Sequence, residues 1–152
     1  MNIFITVGTT PFDSLYKVLD DAIFPGEYVL RGQIGNGRYK PKNFDFFEFD
    51  SSLESHLAWA DAVITHAGAG SVFSLLEDGK KCLVVANLER QDKHQAELAD
   101  YVVKNGFALA THSVEQVPEL ALQLESFSPA KYEKIPFFMQ DKLTDIILSY
   151  YE

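Results

Sequence analysis

A chain of 152 residues, 47% hydrophobic and 23% charged, can bury one ordinary core and leaves no room for two independent domains. Its formal charge of -9 opposes the electrostatic attraction that dominates binding to nucleic acids and to anionic membranes, so polyanionic partners of that kind are excluded. The lone cysteine, Cys82, lies in the apolar run Cys82-Leu83-Val84-Val85-Ala86, where it reads as a small buried hydrophobe suited to a reducing cytoplasm.

Along the chain, short apolar runs bounded by Gly, Asn or Asp alternate with segments of helical period, the pattern of successive βα units. The first run, Asn2 to Val7, is a strand rather than a secretory leader, because no basic segment and no long apolar segment accompany it. A helix follows near 11–22, with Pro11 fitted to a first helical position. Strands at Glu27 to Arg31 and Phe44 to Phe49 come next, then a helix near 52–60, for which Ser51-Ser52-Leu53-Glu54 has capping-box spacing.

A fourth strand at Asp61 to Thr65 precedes a helix near 71–78, and a fifth at Lys81 to Ala86 precedes a helix near 93–105. Gly79 and Gly106 stand where left-handed C-terminal caps belong. The last strand, Phe107 to Ala110, is followed by a helix near 114–125. A connection carrying Pro129 and Pro136 then leads to a final helix at about 137–150, striped by Phe137, Phe138, Leu143, Ile146, Ile147 and Tyr150. No apolar run approaches the roughly 20 residues needed to span a bilayer.

The runs Ala62-Val63-Ile64 and Leu83-Val84-Val85 are continuous rather than alternating, which indicates strands covered on both faces. The expected fold is therefore α/β, a Rossmann-like doubly wound parallel sheet over the whole of residues 1–152.

In such a sheet, ligands bind beyond the carboxyl ends of the strands, where helix N-termini offer free N–H groups to anions. Three loops fall there: Gly8-Thr9-Thr10-Pro11, His66-Ala67-Gly68-Ala69-Gly70-Ser71, and the stretch from Asn87 to Gln95. The second suits a diphosphate, since two glycines let the backbone approach a ligand and Ser71 opens the next helix. A dinucleotide fingerprint fits poorly, because Phe73 holds the place of its third glycine. No Gly-x-Ser-x-Gly elbow occurs, and no His, Cys and carboxylate set has metal-ligand spacing, so no metal and no cofactor are expected. His56 and His112 read as plain surface residues. Arg31, Arg38, Lys40 and Lys42 form the chain's basic cluster, either a phosphate contact or a solvated loop.

Four segments together resemble one known family: Ile5-Thr6-Val7-Gly8-Thr9-Thr10-Pro11-Phe12, Trp59 through Ser71, Gly79-Lys80-Lys81, and His94-Gln95-Ala96-Glu97-Leu98-Ala99. They are similar to the C-terminal, donor-binding lobe of two-lobed (GT-B) glycosyltransferases of family 28. That group includes stand-alone subunits of the dolichol-linked GlcNAc transferase type and bacterial exopolysaccharide transferases.

The resemblance implies a single GT-B lobe that binds a UDP-sugar and passes the sugar to a lipid-linked saccharide acceptor. It also implies that a membrane-anchored partner supplies the acceptor lobe and the acceptor base, with this chain held at the cytoplasmic face. By the same resemblance His66, Gly68, Gly70 and Ser71 face the donor diphosphate, and His66, the catalytic residue on the donor side, also lies near the transferred sugar. His94 and Gln95 meet sugar hydroxyls, the backbone around Phe49 and Asp50 reads the uracil, and Gly8, Thr9 and Thr10 line the cleft between lobes. Related lobes place a ribose-binding glutamate where this chain has Ser74, which leaves Ser74 and Glu77 as alternatives for that contact. A non-catalytic nucleotide-sugar-binding subunit and a nicotinamide-dependent oxidoreductase remain open as rival readings.

Overall fold

The computed structural model describes residues 1–89 and 93–134, so the expected final helix at 137–150 lies outside the described residues. Strands and helices alternate as β1 Asn2–Thr6, α1 Asp13–Asp21, β2 Val29–Gln33, β3 Asp45–Phe47, α2 Glu54–Trp59, β4 Ala62–His66, α3 Ala69–Glu77, β5 Lys81–Val85, α4 Lys93–Lys104, β6 Leu109–Thr111 and α5 Val117–Gln123. The strands form one 6-stranded sheet in the order β3-β2-β1-β4-β5-β6, and every neighbouring pair is parallel. This is the doubly wound order, with its reversal between β1 and β4.

Burial on both faces follows from the continuous apolar runs. Ile3, Ile5, Ala62, Ile64, Leu83 and Val85 point to one side, where Leu15, Tyr16 and Leu19 of α1 and Val117 and Ala121 of α5 cover them. Phe4, Val63, Cys82 and Val84 point to the other, against Val72, Leu75 and Leu76 of α3 and Ala99 and Val102 of α4. Each of the Ile, Leu, Val and Phe side chains contributes about 1.5–3 kcal/mol by leaving water, so the sheet centre dominates the stability. Cys82 is buried as expected, and burial pushes its thiol pKa up to about 12, where it is unreactive.

Several local expectations are corrected. The second strand starts two residues later than predicted because Pro25 to Tyr28 close a turn, with the Tyr28 N–H on the Pro25 carbonyl at 2.9 Å. Pro11 precedes α1 rather than opening it: the Phe12 carbonyl accepts the Leu15 and Tyr16 N–H groups, so the helix begins after Phe12. The capping box is not made, because Glu54 is the first helical residue and Leu53 holds the capping position. Ser71 is the third residue of α3, not its opening, since Gly68 is the N-cap. Gly79 and Gly106 do take left-handed φ values of 67° and 68°.

Helix α1 carries two carboxylates on one face, seven residues and thus about two turns apart. Asp13 accepts the N–H groups of Arg38 and Tyr39, and Asp20 accepts those of Lys42 and Asn43 together with the Tyr39 hydroxyl at 2.7 Å. The long β2–β3 connection is thereby strapped to α1. Gly32 makes the close approach possible: a Cβ there would lie 2.8 Å from the Tyr16 ring.

Asp20 is 3% exposed. Burial pushes its pKa up, but hydrogen bonds from Asn43, Tyr39 and Lys42 outweigh this and hold it below its ordinary value of 3.8. Because the folded value lies below the unfolded one, the stabilisation is complete above 3.8 and is lost as pH falls through the folded value. Asp20→Ala is therefore expected to lose about 2–4 kcal/mol in urea unfolding at neutral pH, and the gap from wild type should narrow as the pH drops below 3.8.

Candidate functional site

Where the strand order reverses, the loops after β1 and β4 leave the sheet in opposite directions and open a crevice. Gly8 turns the first loop with φ 60°, and Thr10 N–H closes it on the Val7 carbonyl at 3.2 Å. The Gly8 carbonyl accepts the Gln33 side-chain amide at 3.3 Å, and a Cβ on Gly35 would lie 2.6 Å from that same oxygen. The β2–β3 strap thus buttresses the first loop from behind, leaving Thr9 exposed and Thr10 half-buried.

His66 ends β4, in register with Val85 of β5, and is half-buried. Its imidazole fills the space between two glycines. A Cβ on Gly68 would meet His66 Nε2 at 2.6 Å, and one on Gly8 would meet Cε1 at 3.9 Å. Beyond Gly68, α3 begins with exposed Ala69, Gly70 and Ser71, and a Cβ on Gly70 would meet nothing within 4 Å. The N–H groups of a first helical turn have no intrahelical acceptor, and here no side chain caps them and no acidic residue sits among them. The result is an open, locally positive helix start beside an imidazole.

Asn87, fully buried after β5, ties this edge together. Its N–H donates to Gln95 Oε1 at 2.9 Å, its amide donates to the Pro11 carbonyl at 3.2 Å, and its own Oδ1 accepts the Glu89 N–H at 3.1 Å. The sequence reading passed over this residue, although a polar side chain closing an apolar strand is a visible signal. It also grouped His94 with Gln95, which the structure separates. The His94 side chain is 90% exposed and pairs with Glu97 at 3.4 Å, whereas Gln95 is buried and spends its carbonyl oxygen on Asn87.

The loop after β3 projects Phe49, 65% exposed, from the same sheet edge. Asp50 accepts the Ser52 N–H at 3.0 Å and pairs with His56 Nε2 at 3.1 Å; both bonds hold its carboxyl below the usual range. His56 is thus not the plain surface residue expected: its ring stacks on Phe47 at 4.4 Å and on Phe4 at 5.3 Å. His112, by contrast, is exposed and paired with Asp100 at 2.7 Å.

Ser71 and Ser74 share an exposed stripe of α3. Glu77 is the last residue of that helix, about 9 Å along its axis from Ser71, and is engaged by Lys134 at 3.1 Å. The four basic residues do not converge. The Arg31 guanidinium lies over Trp59 at 4.3 Å, Lys40 pairs with Glu48 at 2.7 Å, and Arg38 and Lys42 are held by their backbone N–H groups. Among the described residues no group of His, Cys, Asp and Glu is arranged to hold a metal ion.

The model of the glycosyltransferase family 28 C-terminal domain matches residues 2–148. The chain belongs to this family. Among curated relatives, the UDP-N-acetylglucosamine transferase subunit ALG13 of Mus musculus is 40% identical over 116 residues, 68% of this chain and 10% of that protein. Its Yarrowia lipolytica counterpart is 29% identical over 127 residues, 74% of this chain and 65% of that one. The chain thus spans only a tenth of the mouse relative and 52% of the Cryptococcus neoformans one.

In fold it is similar to the solution structure of ALG13, with a TM-score of 0.60 at 20% identity over 97% of this chain and 96% of that one. It is likewise similar to MurG of Acinetobacter baumannii, with a TM-score of 0.62 at 21% identity over 82% of this chain and 41% of that one. The architecture is that of one lobe of a GT-B glycosyltransferase.

The contact between Gly68 and His66 makes a direct prediction. In Gly68→Ala the new methyl lies against the far end of the His66 side chain and must displace it, so imidazole NMR signals of His66 should move while the melting temperature stays within about 5 °C.

Proposed function

We propose that the chain is the donor-binding, catalytic subunit of a two-component glycosyltransferase. It transfers a hexose or N-acetylhexosamine from a UDP-sugar to a lipid-linked saccharide. The observation that carries this reading is the uncapped start of α3 beside His66, at the strand-order reversal of a chain matched to the family from residue 2 to 148. The likeness to the mouse UDP-N-acetylglucosamine transferase subunit supports both the donor and the need for a partner.

Transfer requires that the negative charge gathering on the departing diphosphate be met by fixed dipoles. The N–H groups of Ala69, Gly70 and Ser71 supply them without reorganisation, and His66 adds a donor through Nε2, the ring nitrogen that faces Gly68. Gly68 and Gly70 admit the phosphates to the backbone. His94, out on the first turn of α4, meets the sugar, with Gln95 holding that turn against Asn87. Phe49 and Asp50 take the uracil. For the ribose, Ser74 is favoured over Glu77, because Glu77 lies at the far end of α3 and is already paired with Lys134.

The acceptor base and the acceptor surface come from the partner, which docks along Gly8, Thr9 and Thr10. No helix among the described residues is long and apolar enough to cross a membrane. Attachment to the cytoplasmic face is assigned to the partner. The transfer itself runs without metal or cofactor.

Thermal-shift titration tests the donor reading: UDP and UDP-N-acetylglucosamine should raise the melting temperature and NADH should not, and stabilisation by NADH alone would overturn it. Glu77→Ala should leave UDP affinity within about twofold, whereas His66→Ala should lower turnover in the presence of the partner by about 100-fold, the usual effect of removing one preorganised donor.

A further inference from the structure

We propose that His56 is a positioning residue that pins the loop of Glu48 to Ser52 through Asp50 and so sets the selectivity for the uracil base. The inference rests on the reading that this loop meets the base of the donor.

His56 lies on α2, its ring packed almost parallel to Phe47 and to the fully buried Phe4, with interplanar angles of 24° and 13°. Its Nδ1 is buried and has no hydrogen-bond partner among the described residues. Asp50 Oδ2, a carboxylate oxygen 3.1 Å away, accepts from Nε2–H. A leucine would fill the same slot without leaving a buried nitrogen unsatisfied, which is a costly state. What leucine lacks is the grip on Asp50.

That grip completes a clamp. On the inner side the loop is held by β2, whose extension donates from Ile34 N–H to the Phe47 carbonyl and from Gly35 N–H to the Glu48 carbonyl, each at 2.9 Å. On the outer side Asp50 uses one oxygen for the Ser52 N–H and the other for His56. Phe49 lies between the two anchors, at the sheet edge and largely exposed. Reading a base through backbone donors and acceptors demands a fixed loop, because a shifted acceptor no longer distinguishes uracil from adenine. The diphosphate, held by α3, does not depend on this clamp.

The test is calorimetric titration of the full chain with UDP, ADP and inorganic pyrophosphate, using wild type, His56→Leu, His56→Gln and Asp50→Ala. His56→Leu and Asp50→Ala should each lose about tenfold in UDP affinity, the effect of one charge-assisted hydrogen bond, while pyrophosphate affinity stays within about twofold. The UDP-over-ADP preference should collapse in both and return in His56→Gln, whose amide restores a donor. Asp50→Ala alters only the exposed partner and keeps the test usable if His56→Leu fails to fold. An unchanged UDP-over-ADP ratio, or a parallel loss of UDP and pyrophosphate, would overturn the proposal. A wild-type chain with no preference for UDP over ADP would instead contradict the donor reading on which it stands.

Discussion

The pairing of β1 with β4, Ile3 against Ala62 through Thr6 against Thr65, is the constraint on which the site depends. Both strands are buried on both faces, so helices must cover both sides of the sheet and the chain must leave the two strands in opposite directions. A crevice at their carboxyl ends is the geometric consequence. His66 follows the last paired residue of β4 on that side and is also registered against Val85, so two ladders fix its backbone. Gly8 is favoured by its left-handed φ of 60°, and a Cβ at 68 would press on the imidazole, 2.6 Å from His66 Nε2. A one-residue slip in this pairing would turn Ile64 and Val63 to the wrong faces and remove the site with the core.

For a chain of net charge -9, the proposed binding of a doubly charged diphosphate looks electrostatically contrary. The conflict is one of range. Exposed charges more than about 8–10 Å away are largely screened at physiological salt, whereas the first-turn N–H groups of α3 act in contact. The sequence keeps acidic residues out of that turn and leaves it uncapped. Lys40 and Arg31 are spent elsewhere, on Glu48 and Trp59. The proposed anion recognition thus rests on backbone dipoles, which act even in an acidic protein.

Much of the architecture was legible because it rests on patterns spanning many residues. Continuous apolar runs at 62–64 and 83–85 can only be strands covered twice, and Gly79 and Gly106 mark helix ends by a backbone conformation that side chains resist. The glycine-rich turn after β4 was legible for a similar reason, since Gly68 and Gly70 lie between a buried strand and a helix. What escaped notice depends on single side chains choosing among partners. Ser51 to Glu54 had the spacing of a capping box, yet Asp50 captured the Ser52 N–H and the helix began later. Gln95 turned inward because the buried Asn87 N–H needed an acceptor. His56 was indistinguishable from a surface histidine, since its stacking on Phe4 and Phe47 joins three elements that are distant in sequence.

The central claim is that a nucleoside diphosphate binds at the strand-order reversal, against the start of α3 and the loops after β1 and β3. Mapping UDP onto the assigned backbone amide resonances of the isotope-labelled chain tests it most directly. The account predicts the largest shifts at 67–71, with further shifts at 8–10 and 48–51, and little change at 77–81 on the opposite edge. Shifts concentrated at 77–81, or none at 67–71 at saturating UDP, would contradict it.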